Sequence, residues 1–237
     1  MKMKKIISGF LILLAFCSCQ DDVKFNDPSL QARKDNSFWK AVNYKATKNA
    51  SGKLTIEGYT QNETVSLQTS TANVGTFVFG TTNLINKAFY TINNSIPSKY
   101  ETAIVPGTVN KIVLLASGSG YTTADGLTVT GGSGTGLRVN VTANTSGVVT
   151  LIEIFSPGNN YKAGDLITIV GGAQNAKFSV QNVAKSSGQI VITAYDGATV
   201  SGTFEFNAPL ITGNTTDPKL VSFQEGAFLK LPVQTVP

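Results

Sequence analysis

The second half of the chain carries one alternating pattern twice. Apolar residues at every other position run through VNKIVLLASGSGYTTADGLTVTGGSGTGLRVNV, residues 109–141, and again through VVTLIEIFSPGNNYKAGDLITIVGGAQNAKFSV, residues 148–180. Tyr121 falls on Tyr161, Asp125 on Asp165, Thr128 on Thr168 and Gly131-Gly132 on Gly171-Gly172, a spacing of 40 that slips by one after the glycine pair. A fixed period of this kind predicts one supersecondary unit used twice. The glycine pairs suit backbone positions with positive φ, which only glycine adopts freely.

The flanking segments alternate with the same period. Strands are expected from Phe38 to about 44 and over 53–59, where Leu54, Ile56 and Gly58 share a face. Further strands are expected over 64–68, 75–80 and 87–92. Residues 93–107, with Pro97 and Pro106, read as a connector, and a turn at 98–103 is the nearest approach to a helix. After the repeats, 188–195 leads through an Asp196-Gly197 turn to 199–207, with Val200, Gly202, Phe204 and Phe206 on one face. A strand at 220–223 then turns at Glu225-Gly226 into 227–231. No two strands are separated by the dozen helical residues a parallel crossover needs, so the pairing is expected to be antiparallel. The expected fold is all-β: an antiparallel β-sandwich with an inserted tandem-repeat β domain. The sandwich would be built from 37–107 plus 186–237, and the insert from 108–185.

The N-terminus changes the picture. Lys2, Lys4 and Lys5 precede an apolar run from Ile6 to Phe16, too short to span a bilayer, followed by Cys17-Ser18-Cys19. Residues 1–18 read as a lipoprotein signal peptide, with Cys19 as the lipid-attachment residue because small Ser18 precedes it. Residues 19–36 read as a lipidated polar tether. Asp21 and Asp22 form either a surface-export signal or part of a solvated tether. Several acyl chains on one cysteine would anchor the protein stably. The mature chain would then have no thiol free for a disulfide. Of the 19 basic residues three lie in the leader, leaving 16 against 14 acids, so the formal charge falls from +5 to about +2. That removes the argument for a nucleic-acid partner.

Composition excludes several chemistries. The chain has no histidine, so Ser-His-Asp triads, Cys-His pairs and the commonest zinc sites are absent. Glu57, Glu63, Asp125, Glu153, Asp165, Asp196, Glu205 and Glu225 are scattered, and a glycosidase would need two of them facing one cleft. Asp125 and Asp165 each follow a tyrosine by four residues and precede a strand. They read as turn aspartates or, less well, as calcium ligands, since one carboxylate per turn falls short of six to eight oxygens. The run 131–136 lacks the Gly-Lys-Ser/Thr of a phosphate loop. Trp39, Tyr44, Tyr59, Tyr90, Tyr121 and Tyr161 form either an aromatic platform for sugars or half-buried strand positions. No metal site and no cofactor is expected.

Two resemblances cover most of the chain. The outer segments, about 38–105 and 186–237, carry Leu54-Thr55-Ile56-Glu57-Gly58, Gly75-Thr76-Phe77, the 188–196 strand, Val200-Ser201-Gly202-Thr203-Phe204-Glu205-Phe206 and Glu225-Gly226-Ala227-Phe228. They resemble a family of Bacteroidetes lipoproteins, a domain of unknown function, that lacks the repeats. The repeats, with Gly-x-x-Tyr, Asp and Leu/Ile-Thr-Val/Ile-x-Gly-Gly, are similar to Gly-rich β units of phage tail fibres and bacterial surface proteins. Together these imply an outer-membrane lipoprotein exposed at the cell surface, acting as a non-catalytic binding or adhesion module for a glycan or a protein partner. A structural subunit of an outer-membrane complex and a carbohydrate-active enzyme using paired carboxylates are the alternatives. Tyr121, Asp125, Tyr161, Asp165, Trp39 and Tyr59 are the candidate ligand-binding residues.

Overall fold

The computed structural model describes residues 28–214 and 216–237. The signal peptide, Cys19, Asp21 and Asp22 lie outside the described residues. The protein is all-β. Its strands are β1 (Ser29–Lys34), β2 (Ser37–Lys40), β3 (Asn43–Lys48), β4 (Leu54–Tyr59), β5 (Glu63–Thr69), β6 (Gly75–Val78), β7 (Lys87–Ile92) and β8 (Ser98–Glu101). Then come β9 (Val109–Ala116), β10 (Ala124–Gly131), β11 (Thr135–Ala143), β12 (Val149–Asn159), β13 (Leu166–Ile169) and β14 (Lys177–Val183). The last three are β15 (Ser187–Tyr195), β16 (Thr199–Thr212) and β17 (Leu220–Thr235).

The flanking segments form an eleven-stranded sheet, and the repeats form a separate six-stranded one. The larger sheet folds into two layers because β16 and β17 are long enough to belong to both. Layer A has the order β6-β15-β16-β17-β1-β2. Layer B runs β3-β4-β5-β7-β8. At their far ends β16 joins β8 through Leu210 and Thr212, and β17 joins β3 through Val233, Gln234 and Thr235. The core between the layers centres on Phe223, which stacks on Phe206 at 4.7 Å and meets Tyr90 at 5.2 Å and Trp39 at 5.8 Å. Leu54, Ile56 and Gly58 share the buried face of β4, as their spacing predicts. A Cβ on Gly58 would lie 2.4 Å from Leu30, so glycine lets β1 pack closely there.

Four expectations are corrected. The tether ends before residue 36: Ser29–Lys34 is β1, with Leu30 and Ala32 in the core. Glu225-Gly226 is not a turn between strands but lies within the continuous β17. Glu225 and Lys230 take positive φ at two β-bulges, and each shifts the alternation by one, from Val221 and Phe223 to Phe228 and then Leu231. Pairing is not wholly antiparallel, because the C-terminal end of β17 runs parallel to β3. The turn region at 98–103 contains the extended strand β8.

The repeats form the order β12-β11-β10-β13-β14-β9. Replacing each strand by its equivalent in the other repeat reverses this order and leaves it unchanged. The sheet therefore has a pseudo-twofold axis, and it passes where β10 pairs with β13. There Val129 lies opposite Ile169, its own equivalent. The same symmetry brings the two edges together: Gly107 and Tyr161 exchange backbone bonds of 2.8 and 3.0 Å, and Tyr121 N–H donates to the Gly147 carbonyl at 3.0 Å. Gly131, Gly132, Gly171 and Gly172 all take positive φ. Each repeat buries its tyrosine against the other repeat. The Tyr121 hydroxyl donates to the Ile169 carbonyl at 3.0 Å and accepts from Ala176 N–H at 3.1 Å. The Tyr161 hydroxyl accepts from Leu137 N–H.

Candidate functional site

The outer face of layer B is a broad groove. Period-two alternation sends Val65, Leu67, Ala88, Tyr90 and Tyr100 inward and their neighbours outward. Strand register aligns the outward residues in rows across the sheet. One row reads Glu57, Ser66, Phe89, Glu101, and the next reads Tyr59, Thr64, Thr91, Lys99. Gln68, Ile211 and Thr212 complete a depression of about 600 Å³. That volume lies in the range of small-ligand sites, roughly 300–1,000 Å³.

The acids and lysines of this face balance in number, Glu57 and Glu101 against Lys87 and the exposed Lys99. Lys87 Nζ donates to Glu101 Oε1 at 2.6 Å and lies 5.8 Å from the Phe89 ring centre. The Tyr59 hydroxyl donates to the Glu57 carboxylate; burial, that bond and the Glu57 charge push its pKa up to about 12. Lys45 is the register partner of Glu57 on β3. Glu57 and Glu101 stand three strand spacings apart, about 14 Å at about 4.8 Å per strand. The carboxyl groups of a glycosidase pair are separated by about 5–9.5 Å, closer than these two backbone positions.

A family model for a domain of unknown function, DUF6252, matches residues 26–131 and, in an overlapping second segment, 116–232. The chain belongs to the DUF6252 family. No curated protein and no solved structure matches it.

The structure spreads the sequence-derived candidates of this DUF6252 chain over several places. Trp39 is 5% exposed, and its indole N–H donates to Glu63 Oε2 at 2.7 Å. Tyr121 and Tyr161 are each 3% exposed, in the core of the repeat unit. These three are packing residues and present no face to a ligand. Asp165 accepts from Ser133 N–H at 3.0 Å, the Ser133 hydroxyl at 2.7 Å and Lys162 N–H at 2.9 Å. Burial would raise its pKa, but those bonds outweigh it and hold the carboxyl below its ordinary value. Asp125 is exposed beside Gly126, which takes positive φ where repeat 2 has Leu166. Thus Asp165 is the turn aspartate that the structural reading describes, and Asp125 is not its match. Only Tyr59 borders the groove.

Sequence reasoning missed Phe89, because it neighbours Tyr90 in an apolar run and the pair looks alike. Alternation separates them: Tyr90 points inward and Phe89 outward. The available signal was the alternation itself: Ala88 and Tyr90 share the inward parity of β7, which leaves Phe89 on the outer face, where β5 sets Ser66 beside it.

Proposed function

We propose that this protein is a non-catalytic binding module, lipid-anchored at Cys19 to the outer membrane and displayed at the cell surface, which takes a glycan or protein partner on the outer face of layer B. The groove carries this reading: it is the depression in which an outward aromatic, neutral polar side chains and acids and lysines balanced in number converge. The leader pattern and Asp21-Asp22 support the location, and so does the likeness of the outer segments to Bacteroidetes lipoproteins. The roughly 14 Å between Glu57 and Glu101 favours binding over hydrolysis. A glycan array probed with the soluble chain from Asp21, beside co-purification from membranes, tests the proposal. Retention of a ligand that is lost with groove substitutions supports it; ligand binding indifferent to them refutes it.

One observation favours a second reading, a structural subunit that docks through the repeat unit, whose Gly-rich pattern is similar to tail-fibre units. Val113 and Leu115 on β9, and Leu151 and Phe155 on β12, are exposed on the two edge strands of the six-stranded sheet. Exposed apolar patches of a few hundred Å² often mark protein contacts. Co-purifying partners lost on Phe155→Ser would support this reading.

A further inference from the structure

We infer that the ligand of the layer B groove is a neutral, hydroxyl-rich glycan chain, lying across the strands with one sugar ring over Phe89. This rests on the reading of the groove as the recognition face and narrows it to one chemical class.

Charge comes first. A polyanion would need a cluster of uncompensated lysines or arginines, and a cationic ligand would need free carboxylates. Here Glu101 is bonded to Lys87, and Glu57 is bonded to Tyr59 and faces Lys45 across the β3–β4 pair. Lys99 is exposed on the same face, so two acids stand with two lysines and the groove offers little net charge to a charged polymer. Apart from Lys99 and the apolar Phe89 and Ile211, the outward side chains that remain are neutral and polar: Thr64, Ser66, Gln68, Thr91 and Thr212. Hydroxyl and amide groups both donate and accept hydrogen bonds, as sugar hydroxyls do. Thr64, Ser66 and Gln68 stand at every second residue along β5, and Thr91 lies one strand spacing, about 4.8 Å, from Thr64.

Phe89 supplies the second element. It lies half-buried between Ser66 and Glu101, with no polar tip. The face of an aromatic ring carries negative potential, which suits the slightly positive C–H bonds on one side of a pyranose. A peptide is recognised most simply through a free sheet edge. The groove spans β4, β5, β7 and β8, and β4, β5 and β7 are paired on both sides, so recognition there must be through side chains.

The test is affinity electrophoresis of the full chain in detergent through native gels containing xylan, starch or mixed-linkage glucan, with polygalacturonate and heparin as acidic polymers. At least one neutral polysaccharide should retard the protein, and retardation should survive about 0.5 M salt, where exposed charge pairs are screened. Phe89→Ala should weaken that binding roughly tenfold. Ser66→Arg, an outward substitution that fills the groove beside Phe89, should do the same without lowering the melting temperature. Phe38→Ala, an exposed aromatic on β2, should leave binding intact. Retardation by acidic polymers alone, sensitive to Ser66→Arg, would overturn the neutral-glycan inference while leaving the groove as the recognition face. Neutral-glycan binding unchanged by both groove variants would overturn both. No retardation by any neutral polymer overturns the inference.

Discussion

At the residue scale, polar atoms hold the molecule together at two places. The first is the pair of crossed tyrosines. Tyr121→Phe would leave the Ile169 carbonyl and the Ala176 N–H without that partner in a buried setting, at a cost of about 1–3 kcal/mol. Tyr161→Ala also removes a buried ring and should cost about 3–5 kcal/mol, read as a lower melting temperature of the repeat unit. Calcium should leave the melting curve unchanged; a midpoint rising with calcium would assign Asp125 or Asp165 to a metal instead. The second place is Glu63. It accepts from Lys34 Nζ, from Trp39 Nε1 at 2.7 Å and from the Tyr90 hydroxyl at 2.6 Å, joining β1 and β2 of layer A to β5 and β7 of layer B. Burial would raise its pKa, but the bonds from Lys34, Tyr90 and Trp39 hold it below the ordinary 4.5. The unfolded chain therefore takes up this proton more readily than the folded one. The stabilisation is complete above the ordinary value and is lost as pH falls through the lowered folded value. Glu63→Gln should cost about 1.5–3 kcal/mol in urea melts at pH 7 and progressively less in acid. A variant with the wild-type pH profile would show that Glu63 contributes nothing to acid sensitivity.

At the element scale, much was legible because period-two alternation specifies a strand and its buried face directly. Leu54, Ile56 and Gly58, or Val200, Phe204 and Phe206, needed no other information. Pairing partners were not legible. The register of β17 on β16 shifts at bulges at Glu225 and Lys230, and neither residue is a glycine that would signal positive φ. The short β1 was hidden in polar SLQARK, where Leu30 and Ala32 are the only apolar residues. The repeat was legible, but its consequence was not: the tyrosine of each repeat reaches into the other. A single repeat, residues 108–147, should therefore not fold as a monomer, since its Tyr121 would lack Ile169 and Ala176. Circular dichroism melts and sedimentation of that fragment check this. A cooperatively melting monomer would show that the crossed bonds are dispensable.

At the scale of the whole molecule, the two sheets have separate cores with no residue in common. The junction between them is narrow. Ala184 N–H donates to the Thr108 carbonyl at 2.9 Å, so the chain leaves the repeat unit beside the point where it entered. Across the junction, Asn182 Nδ2 donates to the Phe79 carbonyl at 3.1 Å, and Asn207 Nδ2 at 3.3 Å and Ser187 Oγ at 3.0 Å donate to the Ala184 carbonyl; on the sandwich side Ser186 Oγ donates to the Ala103 carbonyl. Adjacent ends mean that a short loop can replace the unit without strain, and loop-closure entropy changes by only about 0.6 kcal/mol per doubling of length. Replacing residues 108–185 with a short Gly-Ser loop should thus leave a soluble sandwich that unfolds in one transition. It forfeits the bonds that Asn182, Asn207 and Ser187 make across the junction, about 0.5–1.5 kcal/mol each, and keeps Ser186 with its bond to Ala103. If the groove is the recognition face, the shortened protein keeps its ligand, because Phe89 and its neighbours all belong to layer B. Loss of binding with the fold intact would transfer recognition to the repeat unit and its exposed Phe155 edge. A sandwich that no longer folds would show that the two cores stabilise each other across the Asn182 contact.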